Sequence, residues 1–229
     1  MKIVLTGAAD GLGREIANKL KENDLILLDY CEEKLVEVAR EHNAKYYVCN
    51  LTDAKQVEET CAKILKENNQ IDVLINCAGA WVNEKADLNL EKLKNLILVN
   101  VFGTVAMTES LLPKFMEQKK GLIININSQA GVEREEGFPV YGATKAAMVA
   151  FRKNVKRNFG NNGIKITDIH PGMIQTNLFA KDGVNYPDQA FKNYSISKET
   201  VANAVKFVID QPEEVVIPSL EIKNVNENL

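Results

Sequence analysis

Lys2-Ile3-Val4-Leu5-Thr6-Gly7-Ala8-Ala9-Asp10-Gly11-Leu12-Gly13 stands at the start of the chain, and its reading decides the fold. Lys2 to Thr6 is a short apolar run of strand type, and the segment from Leu12 to Glu22 carries apolar residues at spacings of three and four. Between them Gly7, Gly11 and Gly13 let the backbone turn tightly and come close to a ligand. A strand that ends in such a turn and runs straight into a helix offers free N–H groups and a positive helix terminus to a phosphate. The spacing is G-x-x-x-G-x-G rather than the commoner G-x-G-x-x-G of dinucleotide-binding turns, and alone it also fits an ordinary loop.

Outward from this turn, short β-branched runs keep alternating with longer helical segments. Asp24 to Asp29, Lys45 to Cys49, Asp72 to Asn76, Gly121 to Asn127, Lys165 to Ile169 and Val215 to Ile217 read as further strands. Glu32 to Glu41, Lys55 to Glu67, Leu90 to Gln118, Val140 to Phe159 and Glu199 to Ile209 read as helices. Strand–helix alternation predicts a parallel sheet, because each parallel strand needs a long crossover, and continuous apolar strands such as Leu122-Ile123-Ile124 suit burial on both faces. The expected class is therefore α/β with a doubly wound sheet.

Composition supports a folded enzyme-sized unit: 45% hydrophobic and 26% charged residues are ordinary globular values, which sets disorder aside. A net charge of −3 with no basic stripe gives nucleic acid no electrostatic footprint. No apolar run is expected to reach membrane-spanning length, and the apolar stretch at the start is too short for the core of a signal peptide. Cys31, Cys49, Cys61 and Cys77 are scattered without C-x-x-C pairs or clustered histidines, so neither metal nor a disulfide framework is expected, and a cytoplasmic location follows.

The second strand ends at Asp29, where an acid can hydrogen-bond the adenosine ribose hydroxyls of a dinucleotide. Asp10 adds a second negative charge on that side, and neither position nor Tyr30 supplies an Arg or Lys for a 2′-phosphate. NAD is therefore expected over NADP. Capping of the following helix is the other role open to Asp29.

Further along the chain, Tyr141 and Lys145 lie four apart on a predicted helix and share one face. A neighbouring ammonium favours phenolate and lowers a phenol's pKa, which makes the pair a candidate proton donor and acceptor; taken in isolation, such a pair also fits a solvated helix surface. Ser128 follows the apolar fifth strand at its carboxyl end, where open parallel sheets place ligands. Asn76-Cys77-Ala78-Gly79 closes the fourth strand at the same edge. Asn100 interrupts the apolar run Leu96 to Phe102, so its amide needs partners, in either a helix-bridging or a catalytic role.

Together these motifs closely resemble the short-chain dehydrogenase/reductase family: T-G-x-x-x-G-x-G at Thr6 to Gly13, N-x-A-G at Asn76 to Gly79, Asn100, Ser128, Tyr141-x-x-x-Lys145, and Pro171-Gly172 with Thr176. The resemblance runs from residue 2 to about 210. It implies a single Rossmann-type domain over residues 1–229, three αβα layers around a seven-stranded parallel sheet of order 3-2-1-4-5-6-7. It also implies an oxidoreductase that moves a hydride between NAD(P) and a small secondary alcohol or ketone. In that family Tyr141 would be the general acid/base, Ser128 would polarise the substrate carbonyl, Lys145 would lower the Tyr141 pKa and bond the nicotinamide ribose, and Asn100 would hold a relay water. The cofactor would lie along Gly7, Asp10, Gly11, Leu12, Gly13 and Asp29. Asn50 and Leu51 would hold adenine, although the family usually has Asp where Asn50 stands. Asn76, Ala78 and Gly79 with Pro171, Gly172, Ile174 and Thr176 would complete the nicotinamide side.

Ala80 to Lys85, Gln129 to Phe138 and a candidate lid at Leu178 to Ser197 are expected to set the substrate, through Trp81, Phe138, Phe179, Tyr186, Phe191 and Tyr194. Glu133 to Glu136 reads as a solvated turn, and His42 and His170 as structural residues. The family implies a homodimer or homotetramer packed through the Leu90–Gln118 and Val140–Phe159 helices; the polar tail after Pro218 lacks the family's usual glycine-rich end and favours the dimer. Two rival functions remain. One is a dinucleotide-binding sensor or scaffold, which would not need Ser128, Tyr141 and Lys145 together; the other is an NAD-using epimerase or dehydratase, which usually needs a longer chain.

Overall fold

A computed structural model describes residues 1–84, 89–133, 138–180, 183–184 and 188–227, with 188–190 by backbone alone. The chain folds as one parallel sheet in the order β3-β2-β1-β4-β5-β6-β7. The strands are β1 (Lys2–Thr6), β2 (Asp24–Asp29), β3 (Lys45–Val48), β4 (Val73–Asn76), β5 (Gly121–Ile126), β6 (Ile164–Pro171) and β7 (Ser219–Ile222). Their side chains alternate between two cores. Ile3, Leu5, Leu25, Leu27, Ile75 and Ile124 face one side, covered by α1 (Gly11–Lys19), α2 (Glu32–Glu41) and α8 (Lys198–Ile209). Val4, Ile26, Leu28, Leu74, Ile123 and Ile166 face the other, covered by α3 (Ala54–Glu67), α5 (Thr104–Gln118) and α6 (Pro139–Phe159). This is the three-layer doubly wound arrangement, and its topological switch lies between β1 and β4, the two strands that flank the reversal of chain direction across the sheet.

Two elements depart from the sequence expectation. The seventh strand was expected at Val215 to Ile217, whereas Ser219–Ile222 pairs with β6 from Asp168↔Ser219 to Pro171↔Ile222. An edge strand needs only one apolar face, and Leu220 and Ile222 supply it while Ser219 and Glu221 point out. The apolar run before it is irregular chain, tied down where Lys165 Nζ donates to Pro212 O and Val215 O. The second departure is α7 (Asp188–Tyr194), a short helix inside the stretch expected to be irregular.

The predicted helix from Leu90 to Gln118 forms as α4 (Leu90–Ile97), a single π turn (Leu98–Gly103) and α5. It is the one correction to the membrane reading. Over its 29 residues it is long and apolar enough to span a bilayer by length and composition. Its apolar residues have another occupation, since Met107, Leu111, Leu112 and Phe115 are buried against the sheet. Pro113, which would break a helix interior by removing a hydrogen bond, is accommodated in α5. The π turn carries Asn100, and such turns widen a helix locally and turn one side chain out of register.

Candidate active site

A cleft of about 640 Å³ runs across the carboxyl ends of β1, β2, β4 and β5, from Asp29 and Tyr30 at one end to Tyr141 and Thr176 at the other. The size suits a ligand that is buried along most of its length. At the glycine-turn end, Gly7 has φ +69° and a Cβ on it would lie 2.7 Å from the Ala78 backbone, so no other residue fits where β1 meets β4. A Cβ on Gly13 would land on the Gly7 carbonyl. The turn and α1 are therefore pressed together, with α1's N-terminus open to the cleft. Thr6 Oγ1 accepts hydrogen bonds from Cys77 N at 3.1 Å and Ala78 N at 3.2 Å and locks the two strand ends.

Asp29 lines the cleft, and its carboxylate accepts from Ala9 N at 3.1 Å and Cys31 N at 3.0 Å. It therefore braces the glycine turn, and it does not cap α2, whose N-cap is Cys31. Asp10 is the N-cap of α1, accepting from Gly11 N. Its second oxygen takes Lys34 Nζ at 2.7 Å, a cation that also lines this end of the cleft. The sequence reading, confined to Asp10, Asp29 and Tyr30, missed Lys34; the first turn of α2 brings it back beside the acids. Gly11, Leu12, Asn50 and Leu51 line the same end. Asn50 Oδ1 accepts from Thr52 N and Oγ1.

The Tyr141 end is assembled from distant segments. Lys145 is buried, its Nζ donates to Ile126 O at 3.2 Å, and it lies 5.7 Å from the centre of the Tyr141 ring. Burial pushes its ammonium down to about 8, against the smaller opposing pull of Cys77 and Asp168. Ser128 begins a 3₁₀ turn (Gln129–Gly131) that packs on α6 so tightly that a Cβ on Gly131 would lie 2.7 Å from the Lys145 carbonyl carbon. Its Oγ accepts from Ala130 N at 3.2 Å, and its carbonyl pairs with His170 Nδ1 at 3.1 Å. His170 is fully buried, so its structural reading stands, with the added task of holding the Ser128 backbone.

Asn100 Oδ1 accepts from Ala80 N at 2.8 Å, while Nδ2 donates to Ala80 O at 3.0 Å and Thr144 Oγ1 at 3.1 Å. Its amide hydrogens are thus used in bridging, and Asn100 Oδ1 and Lys145 Nζ both lie within 4 Å of the point where a Gly79 Cβ would stand. Asn76 does not line the cleft. It starts a buried ladder across register partners, Asn76 Nδ2 to Asn125 Oδ1 and Asn125 Nδ2 to Asp168 Oδ1, each at 2.9 Å, ending in the ion pair of Asp168 with Arg152 at 3.0 Å. Ala78, Gly79, Ile174 and Thr176 line the cleft. Pro171 and Gly172 stand behind it, where the Glu227 carboxylate packs on Gly172 and accepts from Met173 N at 3.0 Å.

Trp81 lines the cleft and packs with its ring centre 5.1 Å from that of Phe138, tilted, and 4.9 Å from that of Phe179, edge to face; Phe179 meets Phe191 at 6.5 Å. Tyr194 is exposed and takes no part in this wall. Tyr186, Lys85 and residues 134–136 lie outside the described residues.

Residues 1–187, which carry this glycine turn and the Tyr141–Lys145 helix, match the family model described as short chain dehydrogenase. The chain belongs to the short-chain dehydrogenase family. An uncharacterised oxidoreductase of Staphylococcus epidermidis is 30% identical over 97% of this dehydrogenase-family chain and 96% of its own length. A Schizosaccharomyces pombe relative named NADP-dependent 3-hydroxy acid dehydrogenase is 32% identical over 94% of this chain and 89% of its own. Among solved structures, the closed form of a serine dehydrogenase complexed with NADP+ superposes with a TM-score of 0.93 at 29% identity, covering 100% of this chain and 97% of the other. The serine dehydrogenase of Escherichia coli superposes at 0.87 with 30% identity over the whole of both chains. As a member, this short-chain dehydrogenase is an NAD(P)-binding oxidoreductase of Rossmann fold.

The sequence reading also missed Glu84, which reaches the first turn of α6, and Glu227, which backs Gly172. Neither has a local signal. Each acts on a segment more than fifty residues away in the chain.

Proposed function

We propose that the protein oxidises a small secondary alcohol, or reduces the matching ketone, with Tyr141 as the group that takes or gives the oxygen's proton. A bound nicotinamide supplies the hydride acceptor or donor; the chain supplies position and the proton path. In the oxidising direction the C–H pair leaves as hydride, the O–H proton passes to the Tyr141 phenolate, and the carbonyl forms. The observation that carries this reading is the placement of the Tyr141 ring 5.7 Å from the buried Lys145 ammonium at the end of a cleft that begins at the glycine turn. A cation so close favours phenolate, the state a base needs. Ser128, at the end of β5, is assigned to the substrate oxygen, with its Oγ aligned by the Ala130 amide. The cleft suits a dinucleotide because Gly7 and Gly13, where any Cβ would strike neighbouring backbone, let the turn pack against β4 and the start of α1 and so hold the helix N-terminus at the cleft.

For the adenosine end we propose NAD as the preferred cofactor. Asp10 and Asp29 outnumber Lys34, the single cation lining that end among the described residues, and Lys34 is already paired with Asp10. NADP is the second reading, favoured by the Lys34 ammonium and by the names of the relatives above. The residues 178–197 are assigned as a lid, since Phe179 and Phe191 carry the aromatic wall from Trp81 outward. Exposed Ala143, Ala146, Ala147 and Ala150 on α6 with exposed Ile97 on α4 give a second copy a smooth face, and light scattering tests for a dimer.

A screen of secondary alcohols and ketones, including 3-hydroxybutyrate, with the primary alcohol serine alongside, tests the reaction by absorbance of the reduced cofactor, run with NAD and NADP in parallel. Tyr141→Phe should lower turnover about a hundredfold or more while leaving cofactor binding intact. Turnover that survives this change would remove the proton-transfer role.

A further inference from the structure

Helix α6 begins badly on its own terms. Its N-cap is Phe138, which offers no side-chain acceptor, and Pro139 at the first position has no N–H. The next two amides, Val140 and Tyr141, are therefore the donors left over, the first intrahelical bond being Gly142 N to Phe138 O. Both are taken by one carboxylate from another part of the chain: Glu84 Oε2 accepts from Val140 N at 2.9 Å, and Oε1 from Tyr141 N at 2.8 Å. Two bonds from one rigid carboxylate fix both the position and the rotation of the turn that carries Tyr141.

The bonds close a ring. The Tyr141 carbonyl accepts from Thr144 Oγ1 at 2.7 Å, Thr144 Oγ1 accepts from Asn100 Nδ2, and the Asn100 amide holds both the N–H and the C=O of Ala80. From Ala80 the chain runs through Trp81 back to Glu84, and Trp81 stacks on Phe138 directly before α6. Ala80 and Trp81 line the cleft at its nicotinamide end. One face of this loop thus lines the cleft, and the other grips Tyr141 through its N–H and, by way of Asn100 and Thr144, through its C=O.

We propose that Glu84 is a positioning residue that, together with Asn100 and Thr144, transmits the placement of loop 80–84 to the proton-transferring Tyr141. The inference rests on the role of Tyr141 proposed above. An error of about 1 Å in a reacting group can cost a hundredfold in rate, so a tether of this kind acts on turnover rather than on cofactor affinity. Members of one hydrogen-bond circuit also fail together rather than additively.

The test is a double-mutant cycle of Glu84→Gln and Thr144→Val. Gln keeps the length and one acceptor oxygen and removes the second acceptor. Turnover is measured on whichever of serine, 3-hydroxybutyrate and the screened alcohols is oxidised fastest, and amide exchange of residues 138–142 is followed by mass spectrometry in the NAD-loaded protein. Each single variant should lower kcat about tenfold at an unchanged KM for NAD, exchange at 138–142 should quicken, and the double variant should fall little further than either single one. A lowered melting temperature with kcat intact, or losses in the two variants that multiply, would overturn the circuit and leave Glu84 a helix cap. Tyr141→Phe runs alongside: if it is inactive while Glu84→Gln keeps full turnover, this inference fails alone, and if it stays active, the reading of Tyr141 fails.

Discussion

The two ends of the cleft are built on different plans. At the glycine-turn end nearly every group is held by a neighbour in sequence or by the adjoining strand: Asp10 caps the helix it precedes, Asp29 bonds Cys31 and the adjacent Ala9 turn, and Gly13 packs on Gly7. At the Tyr141 end the residues are held from far away: Tyr141 by Glu84, Thr144 by Asn100, Ser128 by His170 and Met173 by Glu227. A phosphate-binding turn can be specified locally because backbone N–H groups do the binding. A proton donor must instead be fixed in three dimensions against a substrate from other segments, and long-range bonds do that.

The largest effect expected from breaking this division is at Lys145. Its burial opposes its own charge, so Lys145→Met should abolish most turnover, by a hundredfold or more, while raising the melting temperature. The pH dependence has a definite sign. Between about pH 8 and the ordinary lysine value of 10.5 the unfolded chain binds a proton that the folded one does not, so this group's penalty is full below pH 8 and disappears as the pH rises through that window. The stability gap between Lys145→Met and the native sequence should therefore narrow from pH 8 to pH 10.5, read by urea unfolding; a constant gap would contradict the buried, depressed ammonium.

Next comes Gly13→Ala, a change confined to the local half. Its methyl would strike the Gly7 carbonyl, so cofactor affinity should fall at least tenfold by titration calorimetry, with the Tyr141 end undisturbed. His170→Ala tests the far-built half through its structural support. It leaves the Ser128 carbonyl without a partner in a buried place and should reduce stability by about 1–3 kcal/mol, with turnover falling more than cofactor affinity. The smallest change is Asp10→Asn, which loosens the exposed ion pair with Lys34 and should move the NADP to NAD ratio of kcat/KM a few-fold toward NADP. If the ratio does not move, Lys34 has no part in cofactor choice.

The same division explains what could be read from the residues in order. The strand–turn–helix opening, the parallel sheet and the Tyr141–Lys145 face were legible because periodicity and short spacing report local geometry. The seventh strand was not, because an edge strand with one covered face has only Leu220 and Ile222 to mark it, and the more apolar Val215 to Ile217 outweighed them. Asn76 looked like a cofactor contact from its place at a strand end. Its register opposite Asn125, itself opposite Asp168, is defined only by the assembled sheet and makes the amide the first rung of a buried ladder.

By itself the sequence determined the fold class, the family and the set of groups that could do chemistry, since each is written in residue type and short spacing. The tertiary structure alone decided who holds those groups. Lys34 reaches Asp10, Glu84 reaches Tyr141 and Glu227 reaches Met173 because crossovers return distant segments to one sheet edge, and a hydrogen bond depends on distance in space, to which separation along the chain gives no guide.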